Sequence, residues 1–206
     1  MTFSSEPALP AMDSQPDDSS AEPGVLPEVY QQHLEEFRSL WTQRQEMLLS
    51  AELTAGDLDA WEERIAAHLD ALLLPGEEAV IRLVAEGLCG EDAEIVFGAA
   101  LVLLKLESQR AASLVGEALR EAEDDRLEGI GQALCHAPIA WLETTLRQTL
   151  KSDVPPRALA AAEALAFHHK LRPEEPRLGA LLADENPAVR AAAWRVVAAV
   201  DSAGGR

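Results

Sequence analysis

The sequence predicts an all-α fold in which an N-terminal helical hairpin precedes a helical-repeat solenoid of about four helix pairs. Three observations carry that prediction. A short apolar helix, a polar break and an Ala-rich helix recur between Gly76 and Val200, with a key aliphatic at Ile95, Leu127, Leu159 and Val189, spaced 32, 32 and 30 residues apart. Apolar residues make up 48% of the 206-residue chain but aromatics only 4%, so Ala and Leu carry the packing and helices can approach closely. The breaks hold Gly90, Pro138, Pro155-Pro156, Pro173, Pro176 and Asn186-Pro187, which stop a helix or occupy its first turn.

Residues 1–26 combine Pro7, Pro10, Pro16 and Pro23 with Ser19, Ser20 and scattered acids. Such a mixture buries too little apolar surface to offset ordering entropy, so a disordered acidic tail is expected, a solvated leader more than a partner-binding peptide. Its start has neither a basic region nor an apolar run, unlike a signal peptide. Residues 27–75 form the predicted hairpin. Pro27 suits a first helical turn, and Tyr30, Leu34, Phe37, Trp41 and Leu48 follow as one apolar stripe. Thr54 and Asp57 read as a short capping box opening a second stripe of Leu58, Trp61, Ile65, Leu69 and Leu72. Trp41 and Trp61 are expected at the seam between the two helices.

Residues 76–200 hold the repeats. The first helix of each pair is predicted over Glu77–Leu88, Ser108–Arg120, Pro138–Leu150 and Glu174–Leu182; the second over Glu91–Leu106, Asp124–Cys135, Pro155–His168 and Pro187–Val200. Residues 201–206 read as a flexible C-terminal tail.

Charge narrows the partners. With 17 basic and 36 acidic residues the net charge is -19. The first 27 residues hold five of the acids and no Lys or Arg, so the body alone is near -14. That field repels nucleic acid and anionic lipid, because phosphate binding depends on Lys and Arg displacing counterions. A protein partner with a basic surface is expected instead. No run of apolar residues is long enough to span a bilayer, so no membrane insertion and a cytoplasmic location are expected. Cys89 and Cys135 form no CxxC pair, which argues against a disulfide framework or zinc site; both are expected to fill small core sites.

The most complete wording is Asp184-Glu185-Asn186-Pro187-Ala188-Val189-Arg190-Ala191-Ala192-Ala193-Trp194, echoed by Glu91 through Ala100 and by Pro155 through Ala162. It resembles the second helix of HEAT-like repeats, in which small residues let the pair close up and the acid and arginine bridge neighbouring repeats. Val96 and Ala160 stand where Arg190 does, so bridging is expected only in the last pair. The period is shorter than the roughly 40 residues usual for HEAT arrays and is closer to the short units of bilin lyase relatives. The hairpin VYQQHLEEFRSLWTQRQ and LDAWEERIAAHLDAL, with PGEEAVIRLVAEGL and EIVFGAALVLLKLES, is similar to a group of bacterial HEAT-like repeat proteins whose genes often accompany components of the type VI secretion apparatus. The resemblance spans about residues 28 to 200 and implies an adaptor or accessory role near that apparatus.

No motif marks a reaction. His33, His68, His136, His168 and His169 form no HxxxH, and His68 reads as a half-buried imidazole beside a stripe. Cys135-His136 are neighbours on a helix, about 100° apart, and so do not face each other. Acid pairs such as Glu62-Glu63 and Asp124-Asp125 read as solvated faces, most of them in first turns where the helix dipole favours them. No catalytic residue, metal site or cofactor is expected. Candidates for lining a partner-binding surface are Glu94, Glu128, Arg157, Glu163, Arg190 and Arg195, all on second helices. Trp194 is a further candidate, although an end-cap or core role is favoured for it, and the C-terminal end could support self-association. The first hypothesis is therefore a noncatalytic protein-binding scaffold or adaptor. The alternatives are an immunity-like inhibitor of a toxin and, further off, a HEAT-like lyase-type enzyme.

Overall fold

A computed structural model describes residues 26–50, 54–172 and 174–204. Its ten α-helices are α1 (Pro27–Met47), α2 (Ala55–Leu73), α3 (Glu77–Val84), α4 (Ala93–Lys105), α5 (Gln109–Glu121), α6 (Asp124–His136), α7 (Glu143–Thr149), α8 (Pro155–Phe167), α9 (Pro176–Leu182) and α10 (Pro187–Gly204), with a 3-10 turn over Ala85–Cys89. Among the described residues there is no strand, and no helix is long and apolar enough to cross a membrane. The fold is all-α. The acidic tail expected over 1–26 lies outside the described residues except for Leu26, as does Pro173. Helix α10 runs on to Gly204, past the boundary drawn at Val200.

Helices α1 and α2 pack as a hairpin and both lean on α4. The Thr54 hydroxyl accepts from the Asp57 N–H while the Asp57 carboxylate takes the Thr54 N–H, the reciprocal cap that the sequence predicts. The aromatic seam is placed differently from expectation. Trp41 points past α2 into the junction with the repeats, 4.9 Å from Phe97 and 4.8 Å from His136. Trp61 stays half-buried under the Arg64 guanidinium. The hairpin's own polar ties are His33 and His68, whose Nδ1 atoms lie 3.1 Å apart, and the ion pair of Arg44 with Glu62 at 2.6 Å. Leu48, expected on the stripe, falls just past the last turn of α1 and is exposed; Leu40 is buried in the stripe instead.

Beyond the hairpin, the second helix of each pair packs on the next, α4 on α6, α6 on α8 and α8 on α10, while α3, α5, α7 and α9 each pack on the second helix that follows. Helix α4 is the hub. Nine consecutive residues, Val96 to Leu104, are buried, as befits a helix apolar all round and covered on every side. Close approach depends on small residues there: a Cβ on Gly129 of α6 would run into the Ala93 carbonyl and come within 3.0 Å of the Phe97 nitrogen. Ile95, chosen from the sequence as the repeating aliphatic, is 41% exposed, and the buried residue is its neighbour Val96. Burial thus shifts the register of the first pair by one residue. Leu127, Leu159 and Val189 are buried as expected.

Two first helices are shorter than predicted. The span Glu77–Leu88 breaks into α3 and the 3-10 turn, where Gly87 approaches Ala99 so closely that a Cβ would sit 2.9 Å from it. The span from Pro138 begins its helix only at Glu143, because Ile139 and Leu142 close a turn first (N to O 2.9 Å) and bring the Trp141 indole N–H onto the Glu107 carbonyl at 2.8 Å.

Bridging by arginine is also distributed differently. Arg126 donates through Nε to the Leu88 carbonyl (2.8 Å), and Arg157 donates to the carbonyls of Ala122 (2.9 Å) and Glu121 (3.3 Å). Each side chain therefore reaches back about one repeat and caps carbonyls at the end of the preceding first helix. Arg190, expected to bridge, instead holds the carbonyls of Asp184 and Glu185 in its own loop (2.7 and 2.9 Å). In α6 and α8 the bridging arginine comes earlier in the helix than the Asn-Pro-Ala-Val-Arg wording places it. The two cysteines are not core fillers either: Cys89 is exposed and Cys135 half-buried.

Candidate functional site

A groove of about 960 Å³ crosses α6, α8 and α10 and reaches the end of α1 at Gln45. Its sequence origin is the small-residue content of the second helices. Gly131 and Ala160 face each other across α6 and α8, where a glycine Cβ would meet the Ala160 Cβ at an ordinary 3.7 Å, and Ala166 and Ala199 line it as well. Small side chains leave a trough where larger ones would interdigitate.

One wall is aromatic. Phe167, at the last turn of α8, is 52% exposed and lies edge-on to His136 at 5.3 Å. His136 in turn meets Trp41, which packs on Phe97, and Phe97 stacks on Phe37 at 6.2 Å. This row of rings connects the hairpin interior to the groove. Burial, and secondarily the Arg44 charge, holds the His136 imidazole below its usual value of 6.5 and so favours the neutral ring.

The other wall is acidic. Glu123, Asp124 and Glu128 come from α6 and the residue before it, and Glu163 from α8; Arg195 on α10 is the one Lys or Arg that lines the groove among the described residues. Glu123 is already paired with Arg157 (3.1 Å), and Glu128 accepts from Gln132 (3.3 Å). Cys135 also lines the groove, with its thiol pushed up to about 12 by burial and by the Glu163 charge. The protonated thiol is a poor nucleophile at neutral pH. Among the described residues, no three His, Cys, Asp or Glu side chains are placed to hold a metal ion.

Three of the seven candidate residues, Glu128, Glu163 and Arg195, come together in this groove. The other four lie elsewhere. Glu94 sits in a shallow polar depression between α1 and α4, accepting from the Thr42 hydroxyl at 3.1 Å. Arg157 and Arg190 are committed to backbone carbonyls, a structural task that withdraws them from a binding surface. Trp194 is 60% exposed on α10 and does not line the groove. It protrudes and does not fill the end of the array, contrary to the role favoured for it. Sequence reasoning missed Phe167, His136 and Gln45. Phe167 could have been found as the lone aromatic among the alanines of α8, four residues after Glu163 and so on the same helix face.

No known protein family matches this chain, and no curated protein or solved structure matches it either.

Proposed function

We propose that this protein is a noncatalytic scaffold or adaptor that binds another protein along the α6–α8–α10 groove. The observation that carries the proposal is the exposed Phe167 beside Glu128 and Glu163 in an open trough floored by small residues. An exposed aromatic next to small apolar neighbours supplies contact area at little entropic cost, and the surrounding carboxylates orient a basic partner. The setting we propose is an accessory role in bacterial type VI secretion, which rests on the resemblance of the hairpin and first pair to HEAT-like proteins encoded beside that apparatus.

Phe167 replaced by a photoreactive phenylalanine analogue tests the idea in cells. Irradiation is expected to give a discrete cross-linked protein from position 167 and none from Trp141 replaced in the same way on the first-helix side. An absence of cross-links at 167, together with turnover of a small molecule by the purified protein, would remove the scaffold function. An immunity-like inhibitor is the second hypothesis, supported by the net charge of -19, which suits occupation of a basic toxin site. Tight one-to-one inhibition and rescue of cells expressing an adjacent toxin gene would distinguish it from an adaptor.

A further inference from the structure

We infer that the occupant of the groove is an amphipathic α-helical segment of the partner, apolar along the ridge that meets Phe167 and carrying Lys or Arg toward α6 and α8. The inference rests on the scaffold function proposed above and goes beyond it by naming the chemistry and conformation of what is bound.

Three features select that occupant. Charge is the first: Asp124 and Glu163 make no hydrogen bond or ion pair with any described residue, and Glu128 has only the Gln132 amide. These exposed carboxylates are available to a cation, and complementary charge along a groove discriminates between partners of opposite sign. Arg195 is likewise without a partner among the described residues and faces from α10. The groove therefore has polarity, negative from α6 and α8 and positive from α10, so a bound segment with basic residues on one flank and an acid on the other has a preferred orientation. The second feature is the floor, where Gly131 and Ala160 let a partner's side chains sink close to the helix backbones. Backbone satisfaction is the third. The described residues contain no strand and hence no free edge for an extended peptide to join, so an extended occupant would lose water from its N–H and C=O groups without replacement. A helix satisfies them internally and can lay an apolar ridge into a trough between helices.

A fluorescent peptide of about 18 residues, roughly five turns, with Leu and Ala on one face and Lys on the other, probes the groove by anisotropy. Controls are the Glu counterpart and a shuffled peptide of the same composition. The Lys peptide should bind the full-length protein about tenfold or more tightly than either control and gain helical circular dichroism on binding. The double variant Glu128→Lys/Glu163→Lys should weaken it about tenfold or more, and Phe167→Ser should do the same while leaving the thermal midpoint in place. Glu78→Lys/Glu117→Lys makes the same change in net charge on exposed positions outside the groove and should cost less than about twofold. Equal weakening by the two double variants would reduce the effect to bulk charge and overturn the inference. Equal binding of the shuffled peptide, or no binding at all, would overturn it too. A cross-link from position 167 without peptide binding would leave the scaffold standing and remove only its helical, basic occupant.

Discussion

Helices α4 and α10 occupy corresponding positions in the first and last pairs, yet one is sealed and the other half bare. Nine consecutive residues of α4 are buried between the hairpin, α3, α5 and α6, whereas α10 buries Val189, Ala193, Val196 and Val200 and leaves Trp194 and Arg195 in solvent. The core divides accordingly. One cluster runs from Tyr30 through α8 and takes in Val196 and Val200, and a second, small cluster holds Ala158, Leu159, Leu181, Val189 and Ala193. The difference teaches that packing density is graded along the chain: the hairpin end supplies a densely packed base, and the groove opens along α6, α8 and α10 at the other end.

The contrast can be broken most severely at its centre. Phe97→Ala removes the ring that contacts both Phe37 and Trp41 and should cost about 3 to 5 kcal/mol in chemical denaturation, while Trp194→Ala should change stability by no more than about 0.5 kcal/mol. A more pointed comparison uses two glycines two residues apart. Gly129→Ala drives a methyl group into the α4 backbone and should cost about 1 to 3 kcal/mol. Gly131→Ala, on the groove floor, meets only an ordinary contact with Ala160 and should raise stability by up to about 1 kcal/mol through helix propensity. Thermal melts of the pair should therefore move in opposite directions.

Arg157→Ala uncaps the carbonyls of Glu121 and Ala122 between the second and third pairs and should cost about 1 to 2 kcal/mol. Arg195→Ala, with no described partner to lose, should leave stability within about 0.5 kcal/mol. The smallest effect is from pH. His136 has its folded value lowered from 6.5, so the unfolded chain takes up a proton first as pH falls. Its contribution is fully present above 6.5 and is lost as pH drops through the lower folded value. Replacement by Phe should flatten that part of the stability profile, read as urea midpoints across the acid range.

Much of this architecture is legible in one sequence because helix starts and stops are local chemistry. Thr54 with Asp57, Pro27, Pro155 and Pro187 all stand at helix starts. What resists prediction is set by neighbours distant in the chain. Ile95 and Val96 are equally apolar, and the docking of α6, whose Gly129 lies against Val96, covers the second and not the first. The bridging of Arg126 and Arg157 depends on carbonyls 38 and 35 residues earlier, a separation that no local pattern encodes. The groove was partly visible through Glu128, Glu163 and Arg195, because charge on an Ala-rich helix face points outward. Its aromatic wall shows in the sequence only as the lone Phe167 among the alanines of α8, since Phe167 and His136 meet only when α6 and α8 dock.

The distribution of the four tryptophans offers an optical division of the molecule. Trp41 alone is enclosed, against Phe97 and His136, while Trp61 is half-covered and Trp141 and Trp194 face solvent. Emission at the short-wavelength edge accordingly tracks the joint between hairpin and repeats, and the long-wavelength edge reports on the periphery. A single spectrum followed through unfolding thus distinguishes detachment of the hairpin from loosening of the far end, with no label added.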